Sequence, residues 1–415
     1  MRRRRSRLAL GMLLMATACT GGEEPVVSSQ TGTTASSTTE ALPTDVADLP
    51  GRLVILDEEG NVVIVAPDGS NPVPITDDAG DTAGYRQPSF SPVSSTVVWS
   101  EISADGSGLG WSDDEGVRES VPMASPPFFM FWSPDGNGIG VLHNSPLGTI
   151  DFELVDVGDV SSEVVAQGSP FYFSWSPDSS QVVAHVQGDL LGTIDLAGEG
   201  SDLGATASGY QAPHWIPDGI LHLSDEGLEL RQPAGEGRIL ATVPGPVSFV
   251  ANRQGTLVAV QSFVDEEEAP PGVDVALSET PAIPGNEVVV LDVANGEMTE
   301  VLDTPSLGLF WSPNGDSLLI LAPAEGAAEV EVLLWEDSGI TEMSRISPHP
   351  SLVADVLRFF DQYGQSLQLW SPDSAAFALP GAIDEEPGIW VHLVEGGDPV
   401  NVADGSWVSW SGADS

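Results

Sequence analysis

Within the 415 residues, WSP followed by a turn-forming pair occurs four times: WSPDG at 132–136, WSPDS at 175–179, WSPNG at 311–315 and WSPDS at 370–374. A chain that repeats one turn at a near-constant interval repeats one supersecondary unit, and such a unit cannot bury its apolar face alone. With degenerate copies included, the aromatic that opens the phrase falls at Phe90, Trp132, Trp175, Trp215, Phe249, Trp311, Trp370 and Trp410, at gaps of 42, 43, 40, 34, 62, 59 and 40 residues. A unit of about 40 residues with four strand signals is the size of one β-propeller blade. Each letter of the phrase has a physical reason. Proline cannot donate to a ladder and stops the strand. Aspartate bonds the turn's amides, and Gly, Asn or Ser tolerates the backbone that the turn demands. The aromatic, burying about 200 Å² when it is Trp, is expected to wedge between blades, which makes the phrase a structural hinge without a catalytic role.

The unit opening at Phe171 shows the grammar: FYFSWS a strand, PDSS a turn, QVVAHV and LLGTIDL strands, and a polar break around GEGSDL. The ends of the chain complement each other. RLVILD, NVVIVAPDG and PVPIT (52–76) supply three strands ahead of the first phrase, whereas the chain ends with the single strand SWVSWS (406–411). A C-terminal strand paired beside the N-terminal three closes the ring and removes the exposed edges of an open array. The expected fold is an all-β propeller of eight four-stranded blades over 51–411. Seven is the alternative, because Phe90 and Phe249 open worn copies, FSPVSS and FVANRQG.

The WSPDG/S phrase followed by an apolar strand resembles the WD40-like (PD40) repeat of TolB-type propellers, and is similar to the propeller half of prolyl-oligopeptidase-family peptidases. The resemblance implies a fold rather than an activity. TolB has six blades and a separate N-terminal domain, so its partners do not carry over, and no length remains here for a peptidase domain.

The start, MRRRRSRLALGMLLMATAC, joins a cationic segment to an apolar run too short to span a bilayer, with small residues before the sole cysteine. Residues 1–18 are therefore expected to be a signal peptide. Ala16-Thr17-Ala18-Cys19 resembles the lipobox of a bacterial lipoprotein, which makes Cys19 the expected lipidation site. A diacylated cysteine supplies the two chains that stable anchoring needs, and leaves no thiol for disulfides or metal. Residues 19–50, rich in Ser, Thr, Gly and Pro, form the expected flexible tether. Loss of the first 18 residues removes five of the 13 basic residues, all of them arginine, and leaves eight against 62 carboxylates, a formal −54. Such a surface repels phosphate backbones and anionic lipid, so no nucleic-acid partner is expected and the lipid anchor is the only expected membrane contact.

No G-x-S-x-G, P-loop, H-E-x-x-H or EF-hand run occurs, and neither catalytic residues nor cofactors are assigned. His143, His185 and His222 recur at the ends of successive second strands. They are weak metal candidates set against simple packing between blades. Arg86, Arg118, Arg231, Arg238, Arg253, Arg345 and Arg358 are candidate anion clamps or partners for the surrounding acids. Two insertions break the rhythm. Residues 263–285 form an acidic, proline-rich loop inside the sixth blade. Residues 347–366, SPHPSLVADVLRFFDQYGQS, predict a short helix capped by Ser351 and ended by Gly364, with Leu352, Val353, Val356, Leu357 and Phe360 on one face. That stripe is expected to dock on the rim, plug the channel, or meet a partner through Phe359, Phe360 and Tyr363. The function these features support is an extracytoplasmic, lipid-anchored, monomeric scaffold recognising a protein, peptide or glycan. The alternatives are a propeller hydrolase or lyase with carboxylates in its channel and an accessory protein to a transporter.

Overall fold

The computed structural model describes residues 42–80, 82–113, 116–209, 211–263, 280–324 and 329–412. Cys19, residues 1–41 and the centre of the 263–285 loop lie outside them. The described chain is an all-β propeller of four-stranded antiparallel sheets. Its first blade joins Leu53–Leu56, Val62–Val65 and Val73–Pro74 to the C-terminal Trp407–Trp410, in the register Leu53 with Trp410 through Leu56 with Trp407. The N- and C-terminal strands thus close the ring. Six further blades open with the inner strands Ala83–Phe90, Phe129–Trp132, Phe171–Trp175, His214–Ile216, Val247–Ala251 and Gly308–Trp311. In the eighth blade the inner strand shrinks to a bridge between Trp370 and Phe377, beside Ala376–Ile383, Glu386–Leu393 and Val400–Ala403. Blades seven and eight fuse into one seven-stranded sheet, because the outer strand Gly339–Pro348 runs on to pair Ser347 with Ala382 and Pro348 with Gly381.

Inner and middle strands face a neighbouring blade on both sides, which is why VVIV at 62–65 and FYFSW at 171–175 are buried at every position. Outer strands turn to solvent: Val73–Pro74 is exposed, and all but one residue of Gly339–Pro348 are exposed or half-buried. In the fourth blade the outer strand is Gly200–Thr206, so GEGSDL, expected to be a break, contains the start of a strand instead: its glycines and polar side chains suit a solvated edge.

The repeated phrase is a small hydrogen-bonded machine. Ser371 Oγ donates to Asp373 at 2.6 Å and accepts the Ala376 amide at 2.9 Å, while Asp373 accepts the Ala375 amide. Ser133 with Asp135 and Ser176 with Asp178 repeat the arrangement. In the worn copy of the sixth blade, Asn252 alone accepts from the Thr256 and Leu257 amides and so replaces both residues. The fifth residue of the phrase, or its equivalent in the worn copy, is left-handed in five copies, glycine at 136, 255 and 315 and serine at 179 and 374. A serine there is strained, but Ser179 and Ser374 accept the Asp135 and Asn314 amides of the preceding blade, which offsets the cost. The tryptophans also bridge blades. Trp175, Trp311 and Trp370 donate Nε1–H to the carbonyls of Phe131, Val250 and Phe310 on the inner strand before their own, at 2.9, 2.9 and 3.1 Å. Phe90, Trp132, Phe249 and Trp410 are buried at the same level, whereas Trp215 and Trp311 are partly exposed.

Candidate functional site at the plugged channel mouth

Each inner strand ends in a WSP-type turn, so these turns share one face of the ring. The links that enter the inner strands share the other, together with the hairpins between second and third strands. Residues 349–366 and the described ends of the 263–285 loop therefore sit on the face away from the WSP turns. The chain enters the propeller on the WSP face: Trp410 Nε1–H donates to the Pro50 carbonyl, and the Arg52 amide to Ser411 Oγ.

The segment 349–366 crosses the channel mouth. Leu352–Val356 is a wide π turn, Leu357–Phe359 a 3-10 turn, Phe360–Tyr363 one α turn and Gly364–Ser366 a further 3-10 turn. This differs from the single helix expected. Ser351 makes no N-cap bond; its hydroxyl donates instead to the Ser406 carbonyl, and its amide to His349 Nδ1. Gly364 continues the helical turns rather than ending them. Residues 347–348 complete a strand. The changing pitch rotates the stripe, so Leu352, Val356 and Phe360 are buried while Val353 is 45% exposed.

Contacts tie the segment to the whole ring. The His349 amide donates to the Pro380 carbonyl of the eighth blade, and Ser351 reaches Ser406 at the entry to the first. Asp355 pairs with Arg86 of the second blade at 2.7 Å, and with Phe359 it borders Pro127 and Phe128 at the entry to the third. Gln365 accepts from Ser174 Oγ of the fourth blade at 2.8 Å and donates to the Pro213 carbonyl beside the fifth. The Asp361 carbonyl accepts from Gln211 Nε2 and the Ala212 amide. Phe360–Tyr363 lies against the sixth-blade inner strand, and Phe360 meets Phe310 of the seventh edge-on at 6.0 Å. A segment that touches the inner strand of every blade, or its entry, spans the axis and plugs it. Burial there pushes the Asp361 carboxyl up to about 6.

Between the plug and blades two and three lies a cavity of about 210 Å³, lined by Arg86, Gln87, Pro127, Phe128, Asp355 and Phe359. A narrower crevice of about 30 Å³ shares Gln87, Phe128 and Asp355 and runs inward past Met130, Leu367 and Trp407. The strand that carries Arg86 is bulged. Its pairing shifts between Arg86 and Ser89, and Gln87 has φ of 52°, the one positive-φ non-glycine inside a described strand. Bulges of this kind re-aim side chains beside sites.

Of the residues singled out in the sequence, Phe360 is 5% exposed and packs inside the plug, which removes it as a contact for another molecule. Phe359 lines the cavity. The side chain of Tyr363 lies outside the described residues. The histidines do not converge. His143 donates Nε2–H to Glu153 at 2.8 Å, both buried; burial opposes the imidazolium, but the bonds to Glu153 and the Asn144 carbonyl, with the charges of Glu153 and Asp151, together outweigh it and raise the pKa. His185 Nδ1 lies 3.2 Å from the Gln211 carbonyl. His222 stands 3.7 Å from Glu229, and burial holds its pKa low. Among the described residues no group of three or more His, Cys, Asp or Glu side chains is arranged to hold a metal ion. Arginines serve the acids: Arg231 pairs with Glu229, Arg345 with Glu331 and Glu342, and Arg118 lies 4.0 Å from Glu101 and over Trp99. Arg238 donates to the Val293 carbonyl, Arg358 stacks on Phe359, and Arg253 lies in an exposed turn. Sequence reasoning missed Asp355 and the latches Gln211 and Gln365. The one available signal was their place in or beside phrases leading to inner strands.

No protein-family model matches the chain, and no curated protein does. Solved structures do. An oligogalacturonate lyase in complex with manganese is 14% identical with a TM-score of 0.52, over 83% of this chain and 98% of that one. Oligogalacturonate lyase from Vibrio parahaemolyticus is 10% identical with a TM-score of 0.50, over 84% and 99%. TolB from Acinetobacter baumannii is 14% identical with a TM-score of 0.40; the match covers 72% of this chain and 63% of TolB's length. The likeness is one of fold. β-Propellers of this kind include binding proteins and enzymes, and function has to be argued from the site.

Proposed function

We propose that the protein is a lipid-anchored, extracytoplasmic recognition scaffold that binds a protein or peptide at the plugged mouth of its propeller. The observation that carries this is the plug. Residues 349–366 occupy the place where a channel active site would lie, and a cavity opens beside them, against blades two and three. The orientation fits. The described chain enters on the WSP-turn face, the face opposite the mouth. The lyase neighbours keep an enzyme reading in view; a glycoside hydrolase would need a second carboxylate converging on Asp355, which Arg86 already engages.

The test places a photo-crosslinking amino acid at Phe359, on the mouth, or at Val93, which is 51% exposed on the WSP-turn face, in the full chain in its native membrane. A specific adduct from position 359 and none from 93 is expected. Adducts from 93 alone, or from neither, would overturn the proposal. Anchoring is checked separately: Cys19→Ala should abolish incorporation of labelled fatty acid and release the protein from the membrane.

A further inference from the structure

The recognition site proposed above has a chemical class written into its walls. We propose that the cavity takes a cationic side chain, guanidinium or ammonium, from a basic peptide, with Asp355 as the anionic anchor and Phe359 as an aromatic wall; this rests on recognition at the mouth.

Two arginines of the chain already act out both halves of that interaction. Arg86 sets a guanidinium nitrogen 2.7 Å from Asp355 Oδ1, and Arg358 lies with its guanidinium carbon 5.3 Å from the centre of the Phe359 ring. The carboxylate is sheltered, its side chain 17% exposed, whereas the Arg86 side chain is 56% exposed. An ion pair with so open a cation is weak, and releasing Arg86 into water forfeits little. The carboxylate beneath, shared between the outer cavity and the inner crevice, would then meet an incoming cation in a site of lower dielectric, where charge-assisted bonds are stronger. Aromatic faces add a cation–π term. Backbone supports the arrangement: Arg86 is the last residue paired, with Ser100, before the bulge at Gln87, and both Arg86 and Gln87 line the cavity.

Long-range charge selects the same sign. The chain carries 62 acidic residues against 13 basic ones, a formal −49 even before the arginine-rich start is removed. A field of that sign draws cations to a concave site and repels a carboxylate ligand that would otherwise compete for Arg86.

The test uses fluorescence anisotropy on the mature chain with two labelled pentapeptides, one with two arginines flanking a phenylalanine and one with two glutamates in their place. The arginine peptide is expected to bind, more weakly at about 300 mM salt than at about 50 mM. Asp355→Asn should lower that affinity at least tenfold and Phe359→Leu a few-fold, while Arg86→Gln should raise it, because the competing cation is gone. Unchanged thermal unfolding midpoints show that the variants fold. Binding indifferent to Asp355→Asn, weakened binding in Arg86→Gln, preference for the glutamate peptide, or no binding of either would each overturn the proposal. Preference for the glutamate peptide together with crosslinks from position 359 would leave recognition at the mouth standing and remove only the charge class; loss of those crosslinks removes both.

Discussion

Ser371 is fully buried, yet its hydroxyl is satisfied twice, by Asp373 and by the Ala376 amide. That is why serine rather than alanine recurs in the phrase, since an unbonded amide in the turn would cost about 1–3 kcal/mol. The tryptophan beside it combines area with one donor. Trp370→Phe keeps most of the area and leaves the Phe310 carbonyl without its partner, so a loss of about 1–2 kcal/mol is expected; Trp370→Ala should lose about 3–5 kcal/mol, measured by denaturant unfolding. Between the second and third strands of the third blade, His143 and Glu153 form a buried pair, with Asp151 adding to the field. The raised His143 pKa gives stability that is complete below about 6.5 and is lost as pH rises through the raised value. The lowered Glu153 pKa gives stability that is present above about 4.3 and is lost as pH falls through the depressed value. The pair therefore contributes most between those limits. Glu153→Gln should cost roughly 3 kcal/mol near pH 5.5, and less at pH 9 where the imidazole is neutral; unfolding free energies across pH check this. The residue pattern VLH, VAH, ILH was visible in the sequence as a triple, but the partner of each histidine was not. Glu153 stands in the adjacent strand, across a hairpin whose register decides which acids face inward.

At the scale of elements, the plug shows how far a hydrophobic pattern goes. Leu352, Val356 and Phe360 are separated by four residues each, and they are the three that the structure buries. The period was legible. The pitch was not, because switching between π, 3-10 and α turns answers the spacing of the inner strands and their entries, which supply Ser406, Gln211 and Ser174 as fixed anchor points. Asp361 is the element's weak point. Its pKa is raised to about 6 by burial, so its destabilising effect is absent below about 3.9, grows between the two values and is complete above about 6. Asp361→Asn should accordingly raise stability by on the order of 1–2 kcal/mol at pH 8, after discounting for partial exposure, and change nothing at pH 4. Hydrogen exchange of residues 350–366 should be faster at pH 8 than at pH 5, after correction for the intrinsic rate, in the wild type but not in the variant.

For the whole molecule, closure decides stability. Trp407, Val408, Ser409 and Trp410 are all buried; they pair with Leu53–Leu56, and Trp407 Nε1–H bonds the Pro88 carbonyl of the second blade. Truncation after Asp404 would bare the edge of Leu53–Leu56 and one side of the second blade. The shortened chain is expected to aggregate on size-exclusion chromatography and lose its cooperative thermal transition, since an open apolar strand edge templates association. That one strand at the C-terminus completes three at the N-terminus followed from counting units, because a turn of Ser, Pro and Asp is read from a few adjacent residues and strand alternation from a few more. The sequence by itself determined the blade, its repetition and the closure of the ring, all of which depend on short-range chemistry repeated along the chain. Only the tertiary structure decided that Arg86 meets Asp355 across 269 positions, that residues 349–366 lie over the axis, and that the cavity forms between them. Such contacts depend on the angles at which eight blades are set around a common centre, and no local pattern encodes that geometry.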